Sequence, residues 1–438
     1  MNVPTSPLVP SAEPVGRDLL PMTAEVGPNG HLLIGGVDLV ELADDVGTPA
    51  FVYDEAHVRA RCKEAVAGFG TGTAYATKAF VCKAMAALAL EEGLSLDVST
   101  AGELAVALAA GAPGDRLVLH GNNKSRTELE AALRHGVGRI VVDSFDEIER
   151  LRDLVRSGAA SGGRTRLYVR VTPGVEAHTH EFVRTGQEDS KFGLSIASGA
   201  AGEAVQALRE IPTLPLVGVH MHIGSQIFEL DAYREALGAI GDFACEHGFE
   251  ELCVGGGLGA AYVHGESAPS VTEWAVAVRA AAADAGISPR VRLSAEPGRS
   301  IVATAGLTVY RVGTIKRLPG LRTYVSVDGG MSDNPRPVLY GSGYEAFLAR
   351  EPAAARPLAA RVVGKHCESG DVVVDDARLP GDVEVGDLLI TPVTGAYGFS
   401  MASNYNRVPR PPVLFLSDGQ ARTVVRRETI EDVLSLDR

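Results

Sequence analysis

The chain has 438 residues, 45% hydrophobic and 22% charged, with a formal net charge of −14 at pH 7. That length exceeds one ordinary core and predicts two domains, or a large barrel with an addition. The acidic total lacks the basic stripe that phosphate neutralisation requires, which argues against nucleic acid as a partner, and no apolar run approaches the roughly 20 residues of a membrane span.

The first 25 residues hold Pro and Ser but no basic stretch followed by an apolar one, so they read as a disordered tail rather than a signal peptide. A cytoplasmic location is the expectation. Residues 26–48 include GHLLIGGVDL, a short strand pair expected to join a β-domain formed by the other end of the chain. From about residue 73 short β-rich runs alternate with Ala-rich amphipathic runs: TAYAT, SLDVS, RLVLH, RIVVD, RLYVRVT, LVGVHMH, ELCVGG and VRLSAE, with segments such as SFDEIERLRDLV between them. Such βα units in this number and span predict a (β/α)8 barrel over residues 49–306. After SIVATAG the texture changes to β-branched runs and turns, predicting an all-β domain over residues 307–438. The cysteines, Cys62, Cys82, Cys245, Cys253 and Cys367, are odd in number and include no C-x-x-C, which fits reduced thiols.

In a parallel barrel, chemistry sits where strands give way to βα loops. Lys78 closes the first strand, His222 the sixth; GGGLG follows the seventh and EPGR the eighth. Each has a plain structural reading. A glycine triplet is a tight turn, a strand-end lysine is a solvated charge, and a lone histidine is a satisfied core residue. A metal at His220 and His222 lacks further ligands at suitable spacing, so none is expected. Together, a lysine able to condense with an aldehyde, a glycine turn open to phosphate, a histidine and the carboxylate of Glu296 describe a pyridoxal phosphate site. A carboxylate at the ring nitrogen keeps it protonated and makes the ring a strong electron sink.

YATKAF, HMHIGSQI, VGGGLG, EPGRSIV, DNPRPVLYG, GKHCESGD and GAYGFSMASNYN, in that order, resemble the bacterial diaminopimelate decarboxylases, fold-type III pyridoxal 5'-phosphate enzymes of the alanine racemase and ornithine decarboxylase barrel class. The likeness runs from about residue 30 to the C-terminus. It implies decarboxylation of meso-2,6-diaminopimelate to L-lysine, the last step of lysine biosynthesis, by a homodimer whose active sites are shared between subunits. It assigns Lys78 to the covalent link with the cofactor, His222 to its ring face, Ser225 and Gly255, Gly256 and Gly257 to its phosphate. Glu296 falls to its ring nitrogen, with Pro297, Gly298 and Arg299 beside it. Tyr397 would reach the cofactor and substrate from the β-domain, and Arg299 would also lie near the substrate.

Arg336 and Tyr340 in NPRPVLY, with Glu368, would hold the far end of the substrate. A guanidinium suits the distal carboxylate, a phenol adds a directional hydrogen bond, and an acid suits the ammonium. Without the family, NPRP reads equally as a Pro-rich turn with an exposed Arg. Cys367, read alone, is a small buried thiol; the resemblance makes it the acid that protonates the carbon after CO2 leaves. The alternatives are an ornithine- or arginine-type decarboxylase, an amino-acid racemase on the same fold, a pyridoxal phosphate carrier without catalysis, and a cofactor-free aldolase using Lys78. A racemase is helped by a weaker sink at the ring nitrogen than Glu296 provides.

Overall fold

The computed structural model describes residues 11–158, 164–174 and 190–438, which fall into two compact units. One comprises residues 61–259 and 268–300; the other takes residues up to 60, 260–267 and 301–438.

The first unit is a parallel barrel. Its strands run β1 (Ala74–Ala76), β2 (Ser95–Val98), β3 (Leu117–Leu119), β4 (Arg139–Val142), β5 (Arg166–Thr172), β6 (Leu216–His220), β7 (Glu251–Cys253) and β8 (Arg292–Ser294). Each pairs with the next in parallel register. Ala74 N donates to Ala295 O and Ala76 N to Pro297 O, which joins the two ends of the sheet. The strands are short because only the segment inside the helix ring is buried on both faces; β1, β2, β3 and β7 have no exposed residue. Ala74, Val118, Val141, Tyr168, Val217 and Cys253 form a buried cluster from six of these strands. Helices return the chain between strands, and their starts follow from sequence. Ser125 and Ser270 make capping boxes with Glu128 and Glu273, and Thr100 and Ser144 accept from the backbone N–H groups of Glu103 and Glu147. Such caps contribute about 1 kcal/mol each by satisfying first-turn donors.

At the N-terminal ends of the strands Glu251 gathers positive charge. Arg139 grips it at 2.8 and 2.7 Å, and Arg292 and the Tyr168 hydroxyl also bond to its carboxylate. Arg166 stands 3.7 Å away. This face of a barrel carries stability, and the opposite face carries chemistry.

The second unit is built on a mainly antiparallel sheet in the order Val372–Leu379, Leu358–Val363, Arg322–Val327, Gly306–Leu318, Ala50–Asp54, Val413–Ser417, Gln420–Val425. Gly306–Leu318 is long enough to serve two neighbourhoods: its first half pairs with Ala50–Asp54 and Leu388–Pro392, its second with Arg322–Val327. Two boundaries differ from those read in the sequence. Ala50–Asp54, expected within the barrel, is a central strand of this sheet; every residue in it is buried, so AFVYD carries the continuous apolar run that a barrel strand would also carry. The expected tail to residue 25 is placed from Ser11 onward, residues 1–10 lying outside the described part. Val15 and Leu19 are buried, and Arg356 reaches the carbonyls of Ala12 and Glu13 through its backbone and side-chain N–H groups. GHLLIGGVDL forms its own three-stranded sheet with Glu25–Val26, and Leu32 N donates to Ala349 O.

Candidate active site

The C-terminal ends of the barrel strands bring most of the expected cofactor residues together. Lys78 is exposed in the turn after β1, close enough to Asp97 and His222 for its charge to act on both. His222 follows β6, and its Nδ1 accepts from Gly256 N at 3.2 Å. A nitrogen that accepts carries no proton, so this imidazole is neutral. Burial, then the charges of Lys78 and Arg170, hold its pKa well below the usual histidine value.

The glycine turn after β7 excludes side chains for a steric reason. A Cβ on Gly255 would stand 2.5 Å from Met221 O, and one on Gly257, whose φ is +114°, would stand 2.6 Å from Gly224 O. At Gly256 it would run into Glu296 O. Ser225, in the turn after β6, accepts from an Arg299 Nη at 3.0 Å. Gly298 packs against Ala76 and Ala79, and Pro297 O receives the closing bond from Ala76. A side-chain-free turn beside a hydroxyl and a buried guanidinium is the donor set that a phosphate monoester requires.

Glu296 is the electrostatic centre. Its Oε1 lies 2.8 Å from His120 Nε2 and its Oε2 lies 2.9 Å from His220 Nε2, all three side chains being buried. Burial would push the carboxyl up, but the two imidazoles and their hydrogen bonds hold it well below the ordinary range, so it is ionised. The ligand atoms of His120, His220 and Glu296 lie within 4.8 Å of one another, a spacing a metal can use. The N···O distances are instead those of direct hydrogen bonds, which place protons between the groups. Asp97, 3.7 Å from His120, is raised to about 6 by burial. An ionised carboxylate, a neutral imidazole, a lysine and a phosphate-type donor set together fit pyridoxal phosphate.

The β-unit holds the other expected residues. Arg336 is buried, its guanidinium 4.3 Å from the Tyr262 ring centre and 5.7 Å from that of Tyr344, and it donates to Tyr344 Oη at 2.7 Å. The exposed Arg of a Pro-rich turn is therefore not what NPRP makes here. Tyr340 is half-buried at the end of the short helix Arg336–Tyr340, and Tyr397, at φ +61°, is near enough to Arg336 to act on its charge. Cys367 and Glu368 are exposed, not buried, on the loop after Leu358–Val363. Glu368 accepts from Tyr405 Oη at 3.0 Å.

That loop is held by its neighbours. Asp371 takes Met331 N at 2.6 Å and His366 N at 2.8 Å, while its own N–H donates to Glu368 O. The His366 ring spans Ser332 Oγ at 2.8 Å and Asn406 Oδ1 at 3.1 Å. Sequence reasoning missed this network, and Tyr262, Tyr344 and His120 with it. For His120 a signal existed: it ends the RLVLH strand as Lys78 and His222 end theirs. Tyr262 had none, since it lies far from Arg336 along the chain.

Residues 55–303 match the family profile described as pyridoxal-dependent decarboxylase, pyridoxal binding domain. The chain is 48% identical over 427 residues to the diaminopimelate decarboxylase of Mycobacterium tuberculosis, covering 93% of this chain and 95% of that one. Its identity to the Bacillus subtilis diaminopimelate decarboxylase is 46% over 431 residues, 95% of this chain and 97% of the relative. The crystal structure of the M. jannaschii diaminopimelate decarboxylase in complex with L-lysine superposes with a TM-score of 0.87 at 31% identity, over 95% of this chain and 98% of that one. Barrel, glycine turn, Glu296 and these likenesses agree, and the chain belongs to the diaminopimelate decarboxylase family of pyridoxal-dependent decarboxylases.

Proposed function

We infer that the protein decarboxylates meso-2,6-diaminopimelate to L-lysine and CO2 with pyridoxal 5'-phosphate as cofactor. The observation that carries the reaction class is Glu296, a buried carboxylate kept ionised at the end of β8. When bound, the cofactor supplies an electron sink for the bond to the departing carboxylate. Lys78 would hold its aldehyde carbon; Ser225, Arg299 and the Gly255–Gly257 turn would hold its phosphate. Glu296, with Pro297 and Gly298 fixing its place in the chain, would face the ring nitrogen, and neutral His222 would give the ring an uncharged neighbour.

Substrate choice is read from the β-unit. Arg336, stacked on Tyr262 and bonded to Tyr344, is a preorganised fork for the distal carboxylate, with Tyr340 and Tyr397 nearby to add hydroxyl contacts. Glu368 would pair with the distal ammonium. Cys367 Sγ would hold the proton delivered to the carbon that has lost CO2, and its exposed loop is suited to a site completed by a second copy of the chain. The reading thus includes a homodimer with shared active sites and a cytoplasmic location; no helix among the described residues is long and apolar enough to cross a membrane. Incubation with meso-diaminopimelate and cofactor should yield L-lysine. Racemised substrate without lysine would overturn the reading in favour of a racemase.

A further inference from the structure

We propose that His120 is a positioning residue for the reaction: as an imidazolium whose Nε2 faces both Asp97 and Glu296, it keeps Glu296 a carboxylate, in place to face the cofactor's ring nitrogen. This inference rests on the assignment of Glu296 to that nitrogen.

The two histidines on Glu296 are not equivalent. His220 stands at 1% exposure with its Nδ1 meeting no partner. A protonated Nδ1 would be a buried donor left unsatisfied, so His220 is the neutral Nε2–H tautomer, a single uncharged donor to Oε2. Burial lowers its pKa to about 4, in agreement with that tautomer. His120 sits otherwise. Its Nε2 is 2.8 Å from Glu296 Oε1 and 3.7 Å from Asp97 Oδ1, so one ring faces two acids. Burial works against its charge, but Asp97 and Glu296 together raise its pKa above the usual value.

The groups facing His120 are Asp97 from the end of β2, Glu296 after β8, His220 from β6 at a ring distance of 4.9 Å, and Arg170 from β5. Arg170 pairs with Asp143 at 3.4 Å, which places its charge on a third acid. His120 is therefore the cation in direct hydrogen-bond contact with Glu296 before any ligand arrives, and Asp97 shares it. Its position is set by the barrel: His120 N donates to Val98 O at 2.8 Å, which aims the first residue after β3 into the mouth.

His120→Gln separates charge from hydrogen bonding, because the amide can still donate to Glu296 but carries no proton charge. Cofactor affinity measured by equilibrium dialysis from pH 3 to 9 should lose its acid side at a pH about one unit higher in His120→Gln than in the wild type, a weakening of about fivefold at the old midpoint and about tenfold well below it. His220→Gln, which removes a neutral ring, should move that limb less than half as far. Glu296→Gln should abolish it. Coincident limbs in wild type and His120→Gln, with the limb abolished in Glu296→Gln, would overturn the proposal alone; a limb that persists in Glu296→Gln would overturn the assignment beneath it. A measurement on the wild-type holoenzyme needs no variant. Histidine ring NMR at pH 7 should find His120 as imidazolium and His220 neutral, and a neutral His120 would refute the role.

Discussion

Arg336→Met removes the guanidinium and keeps most of the apolar stem. In the structure the residue is 5% exposed, 4.3 Å from the Tyr262 ring centre, and bonded to Tyr344 at 2.7 Å. Two effects separate. The variant loses stacking on the tyrosines, about 1–2 kcal/mol of cation–π interaction, but is also relieved of burying a charge, so the melting temperature should move by only a few degrees. Recognition suffers more. A buried guanidinium paired with a ligand carboxylate is worth about 2–5 kcal/mol on truncation, and a middle value of about 4 kcal/mol corresponds to a loss of roughly three orders of magnitude in kcat/KM for meso-diaminopimelate.

The chemistry sharpens the assay. Decarboxylation at one end leaves the other end's carboxylate on the product, so L-lysine should lose inhibitory potency in the variant by a similar factor. Cadaverine has no carboxylate and should inhibit wild type and variant alike. Less than a fivefold fall in kcat/KM, or an equal loss for cadaverine and L-lysine, would refute the assignment of Arg336 to the distal carboxylate.

Glu251→Gln tests the charge cluster beneath the barrel: Arg139, Arg292 and Tyr168 lose the negative charge and one of the two oxygens they share, and because the guanidiniums keep some access to water the expected loss is about 2–4 kcal/mol, read as a lower melting temperature with kcat retained. Asp333, buried against Tyr310 Oη at 2.6 Å, has its carboxyl raised by burial to about 7. The folded chain thus binds a proton that the unfolded chain has released between about pH 4 and 7, and stability should fall as pH rises through that window. Asp333→Asn should flatten the decline in a pH series of thermal melts, and an unchanged slope would count against it. Gly364→Ala would drive a methyl into the Asp371 carboxylate that fastens the Cys367 loop. With the proposed proton donor Cys367 and the proposed ammonium partner Glu368 both displaced, kcat should fall about tenfold to a hundredfold and KM for meso-diaminopimelate should rise, measured by steady-state kinetics.

The barrel was legible because most of its strands carry an apolar run bounded by helical spacing, a pattern that packing on both faces imposes locally. Its lower boundary was not. The AFVY run is apolar as a barrel strand would be, and only its long-range pairing with Gly306–Leu318 and Val413–Ser417 reveals the sheet it joins. Lys78, His222, the glycine turn and Glu296 stood out because chemistry at strand ends is a positional rule. His120 obeys the same rule but sits in a strand otherwise read for its apolar residues. The clamp on Arg336 and the fastening of Cys367 depend on side chains from segments distant in sequence, Tyr262 for one and Ser332 and Asn406 for the other, so no local pattern records them.

The most direct measurement is the rate of CO2 release by the cofactor-loaded protein from meso-diaminopimelate, set beside ornithine, arginine and lysine at equal concentration. The account predicts rapid release from meso-diaminopimelate, accompanied by L-lysine, and rates at least a hundredfold lower from the three amino acids that bring no distal carboxylate to Arg336. Equal or faster release from ornithine, arginine or lysine, or no release from meso-diaminopimelate, would contradict it.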